Sequence, residues 1–367
     1  MTGCHVMAKP ASSRCNLNCR YCFYLDKPEY PQMDDATLEA FIRQHIAAQP
    51  NGDVLFAWQG GEPTLCGIDF FRRVVELQQR YGQGKRIRNA FQTNGVAVTD
   101  EWCRFFHENN WLVGISLDGP AELHDAYRVN RRGNPTHHKV IAAIERLNAH
   151  RVSYNLLTVV NQQNSQQPEQ LYRYLRALGT PFLQFIPLVE PGNPASVTDR
   201  QWGAFLTAVF DIWVREDIGR VFIQLFDSTL GVWSGQPAQM CSLAECCGHA
   251  FALEANGDLY PCDHYVYPQF RLGNIHETPL ADINASRAVR AFGQQKRDSL
   301  SHECRQCPVR RLCNGDCPRH RLNGKSVLCA GYRDFFHHSA PHMRVMRDLI
   351  RARRSPMELM ALLKVSA

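Results

Sequence analysis

Lys9-Pro10-Ala11-Ser12-Ser13-Arg14-Cys15-Asn16-Leu17-Asn18-Cys19-Arg20-Tyr21-Cys22-Phe23-Tyr24 places three cysteines in a C-x3-C-x2-C spacing near the start of the chain. Three thiolates on one short loop suit three irons of a [4Fe–4S] cube, which ordinarily takes four. The fourth iron is then open to a substrate or cosubstrate, much as a catalytic zinc keeps one position free. Taken alone, the triplet is also compatible with a zinc knuckle or with three reduced core thiols.

The periodicity around this loop is that of an α/β protein. Residues 5–10 read as a strand that feeds the loop. Asp34 and Asp35 cap a helix with Leu38, Phe41, Ile42 and Ile46 on one face. Strands are expected near 54–58, 86–92, 111–117, 153–160 and 182–187, and helices near 68–81, 99–109, 138–149 and 167–178. Six strands alternating with helices predict a parallel sheet. Right-handed crossovers would curl it into a full or partial barrel, a (β/α)6 arrangement. In such folds chemistry sits at the C-terminal ends of the strands. The cysteine loop, Gly60-Gly61, Asn94 and Ser116 all fall there. After about residue 190 the pattern changes. A helix at 199–216 and an ambiguous segment at 221–234 lead into a cysteine-rich region. Phe251 to Tyr260 reads as a β-hairpin around Asn256-Gly257. A helix follows at 279–294, and closing helices occupy 332–363. The expected domains are 1–234, 235–331 and 332–367.

Composition narrows the class. The 367 residues, 44% of them hydrophobic, are ample for a large core and two or three domains. There is no run of 18 apolar residues, so no membrane partner is expected. Met1-Thr2-Gly3-Cys4-His5 lacks the charged-then-apolar pattern of a signal peptide, so the expected location is cytoplasmic. Fifteen cysteines are many for a reducing compartment, where structural disulfides are rare, and metal ligation is the better account. The net charge of +6 is mild. Arg344, Arg347, Arg351, Arg353 and Arg354 have the spacing of a solvated helix face rather than a nucleic-acid site.

Two further groups of residues carry chemistry. Gly60-Gly61-Glu62-Pro63 follows a strand; its glycines let backbone approach a ligand, and Glu62 offers a carboxylate to an ammonium group. Eight more cysteines, Cys241, Cys247, Cys262, Cys304, Cys307, Cys313, Cys317 and Cys329, would fully ligate two further cubes with no open iron. In isolation Cys304, Cys307, Cys313 and Cys317 also match a zinc ribbon. Cys4, Cys66, Cys103 and Cys246 are left as plain thiols, with Cys246, beside Cys247, the alternative ligand at that position. His264 reads as a supporting or surface histidine, and His137 and His138 have no ligand-like partner spacing.

The N-terminal triplet with the Gly-Gly-Glu-Pro segment resembles the radical S-adenosylmethionine (SAM) enzymes. The resemblance implies that the open iron chelates SAM, with contacts from Tyr21, Gly61, Glu62, Ser116, Arg128 and Val189. The later cysteines resemble the SPASM twin-cluster extension of radical SAM enzymes that modify peptides. It implies that Cys241, Cys247, Cys262 and Cys317 hold an inner auxiliary cluster, and Cys304, Cys307, Cys313 and Cys329 an outer one, for three [4Fe–4S] clusters in all. Lys9 to Ser13, Cys22-Phe23-Tyr24, Gln59 to Leu65, Gln92 to Gly95, Leu183 to Ile186 and Tyr260 to Asp263 resemble the anaerobic sulfatase-maturating enzymes. That family oxidises a cysteine or serine of a sulfatase to Cα-formylglycine. By this resemblance Asp263 is the base, and Tyr24 and Gln59 orient the substrate. The implied partners are a sulfatase polypeptide and a low-potential electron donor such as flavodoxin or ferredoxin. Other readings are a different peptide modification, such as a thioether crosslink, or a zinc-stabilised binding protein.

Overall fold

The computed structural model describes residues 3–82, 84–248 and 250–365. Met1 and Thr2 of the N-terminal stretch lie outside them. The strands that position the site are β1 (His5–Lys9), β2 (Asp53–Trp58), β3 (Arg86–Thr93), β4 (Leu112–Ser116), β5 (Tyr154–Val160), β6 (Phe182–Pro187), β7 (Phe222–Ile223), β8 (Ala250–Glu254), β9 (Asp258–Tyr260) and β10 (Gly273–Asn274). The chain forms two compact units. The first draws on the chain up to Ser116, on Asp125–Tyr154 and on Cys247–Gln295. The second draws on Leu117–His124, Asn155–Cys246 and the chain from Lys296 onward.

In the first unit the strands run β10-β9-β8-β1-β2-β3-β4. β1, β2, β3 and β4 are parallel, with Ala8 opposite Trp58 and Phe56 opposite Asn89. β8 also pairs parallel to β1, with Lys9 opposite Glu254. β9 and β10 then continue antiparallel. The hairpin expected from Asn256-Gly257 is present, and Gly257 supplies the left-handed φ of 87° that its turn needs. That its first strand extends the β1 edge was not part of the expectation.

Aromatic residues fill the space between sheet and helices. Trp58 lies 5.8 Å edge-on from Phe71, and Phe71 lies 5.9 Å from Trp111. Phe56, Phe71 and Phe106 are fully buried, each contributing about 1.5–3 kcal/mol of transfer free energy. The one polar atom of Trp58 is satisfied: Nε1 donates to Asn89 Oδ1 at 2.8 Å. The helix Asp35–Ala48 begins where expected, because Asp34 accepts from the Thr37 N–H at 2.8 Å.

The second unit contains the parallel strands β5, β6 and β7. Its long helices, Asp199–Glu216 and Cys329–Arg351, cross at two glycines. A Cβ on Gly331 would stand 2.0 Å from the Asp199 carbonyl oxygen, and one on Gly203 would stand 2.6 Å from the Gly331 Cα. Only glycine permits that approach, which also fixes the start of the helix carrying Cys329. The ambiguous segment resolves into β7 and a helix Gln224–Trp233. The single helix expected at 279–294 is two, Leu280–Asn284 and Arg287–Asp298. Ser286 breaks it by turning its hydroxyl to the Val289 N–H, which starts the second helix. The closing helices begin three residues before the expected start, at Cys329. Arg344, Arg351, Arg353 and Arg354 are exposed as expected, while Arg347 is half-buried. No helix among the described residues is long and apolar enough to cross a membrane.

Candidate functional site

The cysteine loop leaves the C-terminal end of β1 through a tight turn. The Ser12 N–H bonds the Lys9 carbonyl at 2.9 Å, and Ser12 adopts a left-handed φ of 53°. The loop is then stitched to the neighbouring strand end. The Gly61 N–H donates to Ser12 O at 2.7 Å and the Glu62 N–H to Arg14 O at 2.8 Å. A Cβ on Gly61 would lie 2.0 Å from Arg14 O, so the glycine is required by the loop before any ligand is considered. On the other flank Asn18 and Arg20 donate to the carbonyls of Val129 and Tyr127, at 2.9 and 3.0 Å. Arg131 Nε adds a bond to Cys15 O at 2.7 Å.

The three thiols of this loop are half-buried. Burial pushes the Cys15 thiol up to about 11, so a thiolate there needs a metal's positive charge. Donors already surround its sulfur. The Leu17 N–H lies at 3.4 Å and Asn94 Nδ2 at 3.7 Å from Cys15 Sγ. A soft, charged sulfur held by N–H donors at a strand end fits iron–sulfur ligation.

Glu62 is 1% exposed. Its Oε1 accepts from the Thr64 N–H at 3.1 Å and from the Thr64 and Thr93 hydroxyls, both at 2.7 Å. Oε2 accepts from the Asn94 N–H at 2.8 Å and keeps acceptor capacity for one further donor. Burial raises its carboxyl above the ordinary value, against the pull of these bonds. Tyr21 is buried, with its ring 5.8 Å from Tyr127 and the Arg128 guanidinium 5.5 Å from its centroid. Ser116 is buried at the end of β4, and Gln59 is half-buried past β2. Val189 lies just beyond β6, in the second unit.

Asp263 directly follows Cys262 in the short turn Asp263–Tyr265. Its neighbour His264 stacks on Phe23 at 4.7 Å and 13°, which brings this turn to the cysteine loop. Burial pushes the Asp263 carboxyl up, but the charges of His264 and Lys9 and bonds from Cys262 and the His264 N–H more than offset it. The carboxyl stays below its ordinary range. Tyr24 packs with Ala252, Tyr260 and Val266, against Cys22 and Phe23. Its hydroxyl donates to Glu254. Lys9 and Glu254, both buried, were not singled out as site residues in the sequence. Buried charges at strand ends were the available signal.

Of the later cysteines, Cys247 and Cys262 belong to the first unit and Cys241 and Cys317 to the second. The Cys247 N–H bonds Gly293 O at 3.1 Å. The turn carrying Cys241 is held by Lys296 Nζ, which donates to the Cys241 and Ser242 carbonyls at 2.6 and 2.8 Å. In the second unit Cys304, Cys307, Cys313 and Cys329 line one cavity of about 30 Å³, with Arg310 and Arg333 at its wall. Burial pushes the Cys313 thiol up to about 12. Burial raises Cys329 too, and the nearby Cys304 and Cys307 raise it further while Lys325 lowers it. Four thiols lining one cavity fit a closed cluster. The turn between Cys313 and Cys317 is left-handed at three successive residues, Asn314, Gly315 and Asp316. Arg321 braces it, donating to the carbonyls of Gly315 at 2.7 Å and of Asn314 and Asp316 at 3.0 Å. Cys4 and Cys103 are buried, and burial pushes both thiols up to about 11.

Comparison with known proteins agrees with this geometry. Residues 10–175 match the model of the radical SAM superfamily, and residues 241–308 match SPASM, an iron–sulfur cluster-binding domain. The serine-type anaerobic sulfatase-maturating enzyme of Bacteroides thetaiotaomicron is 41% identical, over 98% of this chain and 95% of its own. A cysteine-type enzyme of Clostridium perfringens is 33% identical, over 92% of this chain and 96% of its own. The solved structure of anSMEcpe with bound AdoMet superposes with a TM-score of 0.89 at 33% identity, covering 95% of this chain and 96% of its own. The fold and site thus define a radical SAM protein with a SPASM iron–sulfur domain. The chain belongs to the anaerobic sulfatase-maturating enzymes.

Proposed function

We propose that the chain is a peptidyl oxidase that converts a cysteine or serine of a target sulfatase to Cα-formylglycine. The observation that carries this reading is the juxtaposition of the three-cysteine loop with Asp263, through the Phe23–His264 stack. The relatives extend it: serine-type enzymes are 38–41% identical to this chain and cysteine-type enzymes 33–34%. These identities favour serine as the target.

Cys15, Cys19 and Cys22 would hold the first cluster. Cys241, Cys247, Cys262 and Cys317 would hold the inner auxiliary cluster by family likeness, and Cys304, Cys307, Cys313 and Cys329 the outer one. Tyr21, Gly61, Glu62, Ser116, Arg128 and Val189 would receive SAM. When bound, these groups supply a 5′-deoxyadenosyl radical that removes a hydrogen from the substrate Cβ, and an acceptor for the electron left behind. The protein's own residues do the rest. Tyr24 and Gln59 orient the target side chain. Asp263 takes the proton of its O–H or S–H, the role of a carboxylate within hydrogen-bond reach of the reacting group. The buried rings of Tyr21 and Tyr24 keep the site dry. With a cysteine target, water then hydrolyses the thioaldehyde and sulfide leaves. An iron–sulfur or flavin carrier in the cytoplasm is the electron source in this reading. In this reading residues 1–234 carry the SAM chemistry, 235–331 the auxiliary clusters and 332–367 the closing helices.

The test is anaerobic incubation with SAM, dithionite and peptides carrying a sulfatase motif with serine or cysteine. A two-electron oxidation at that residue, read by mass spectrometry, is expected. SAM cleavage with both peptides untouched would overturn the assignment.

A further inference from the structure

Glu254 has no task in the reaction just described, and Lys9 has none beyond the pull of its charge on Asp263. Lys9 is 2% exposed and Glu254 0%. They stand opposite each other in the β1–β8 register. Taking a charged side chain out of water is costly unless partners compensate, so two in adjacent strands beside a reaction site call for an account. The Lys9 ammonium lies 4.6 Å above the centroid of the Tyr24 ring. The Tyr24 hydroxyl donates to Glu254 Oε1. Ser12 Oγ lies 3.1 Å from Glu254 Oε2, so both carboxylate oxygens are engaged. Ser12 is itself fixed, its Oγ accepting from the Tyr30 N–H at 3.2 Å. One phenol is therefore held on its face by the Lys9 amine and at its oxygen by the Glu254 carboxyl; burial lowers the first group and raises the second, and each draws the other back toward its charged form.

We propose that Lys9 and Glu254 are positioning residues that clamp Tyr24 and fix its hydrogen-bonding polarity toward the peptide. Because the phenol's only hydrogen goes to Glu254, its oxygen is left as an acceptor. Tyr24 therefore meets a hydrogen-bond donor of the substrate, an N–H, O–H or S–H, rather than a carbonyl. A side chain held in one rotamer presents the target Cβ to the radical in one geometry. A clamp that slips lets the radical form without reaching its carbon.

The inference rests on Tyr24 being a substrate-orienting residue, and its test is built to fail separately from that reading. Glu254→Gln, Lys9→Met and Tyr24→Phe are made singly, with the double variants Glu254→Gln/Tyr24→Phe and Lys9→Met/Glu254→Met. The readout is the ratio of 5′-deoxyadenosine formed to peptide oxidised. It is accompanied by iron content, thermal midpoint, and peptide affinity of the SAM-bound, unreduced enzyme. The wild type should be coupled near one to one. Glu254→Gln and Lys9→Met should raise the ratio by about tenfold, with peptide affinity within about threefold, because a displaced reacting group costs rate more than binding. Glu254→Gln should add nothing in the Tyr24→Phe background, as a residue acting through another must not. The Lys9→Met/Glu254→Met pair removes both charges together; its thermal midpoint should recover while its coupling does not. Wild-type coupling in the single variants overturns the clamp and leaves the proposed function standing. Additive losses on Tyr24→Phe, or coupling that recovers along with the midpoint, would do the same. A wild type that cleaves SAM and oxidises no sulfatase peptide overturns the function, and the clamp with it.

Discussion

The two cysteine regions solve opposite problems. The loop after β1 offers three thiols on a short segment held by backbone bonds from both flanks. The region from Cys304 to Cys329 gathers four thiols around one cavity, braced by Arg321 and by the Gly203–Gly331 crossing. Three ligands leave a reactive corner; four close the cube to ligands and leave it electron transfer alone. The same element is thus reactive or inert according to ligand count, and the protein around each region differs to match. Near the first lie a buried carboxylate with acceptor capacity, Glu62, and a low-lying one, Asp263. The second has guanidinium groups and a left-handed turn braced by Arg321.

The comparison breaks most sharply on single ligands. Cys19→Ala should abolish both SAM cleavage and peptide oxidation and cut iron from about twelve to about eight per chain, as three clusters imply. Cys313→Ala should remove a similar amount of iron yet retain SAM cleavage. If the two variants behave alike, the regions are not distinct in role. Next in size is Asp263→Asn. Peptide oxidation should fall by about 10²–10⁴-fold while cluster content and SAM binding persist, since only proton removal is lost. Unchanged turnover would dismiss Asp263 as the base.

Stability separates the regions more gently. Gly331→Ala forces a Cβ against the Asp199 carbonyl and should cost about 1–3 kcal/mol, the usual range for overpacking. The loss should appear as a lower thermal midpoint and easier iron loss from the outer cluster, with the first cluster's iron retained.

Acid is the finest probe. Burial lowers His45 of the first unit from 6.5 to about 4. The unfolded chain therefore binds more protons than the folded one as pH falls from 6.5 toward 4, and that unit loses up to about 3 kcal/mol over the window. Asp316 of the second unit is pushed up by burial but held below its ordinary value by His320 and by Ser326. Its contribution is complete above the ordinary aspartate pKa and is lost only as pH falls through its own lowered value. Hydrogen exchange at pH 5 should loosen the first unit before the second, and His45→Gln should flatten that difference. Equal loosening would contradict the assignment.

Much of this was legible in the residues. The helices Ile68–Tyr81 and Asp199–Glu216 and the strand Phe182–Pro187 have the bounds their periodicity implies. Local pattern suffices where an element's apolar face and caps lie within it. The cysteine spacings and the Gly-Gly-Glu-Pro turn were readable for the same reason. What escaped is non-local. The pairing of β8 with β1 joins Lys9 to Glu254 across most of the chain, and no periodicity in either strand announces it. Arg321 is one of many arginines until the carbonyls of Asn314, Gly315 and Asp316 are seen around it. The break at Ser286 turned on one hydroxyl choosing the Val289 N–H.

All of the proposed chemistry depends on an open iron in the first loop. Its most direct test is electron paramagnetic resonance of the reduced, oxygen-protected protein with Cys247 and Cys313 each replaced by alanine, recorded with and without SAM. The signal of the remaining cluster should shift on SAM addition and show coupling to isotopically labelled amino and carboxylate groups of the cosubstrate. An unchanged spectrum without that coupling would contradict it.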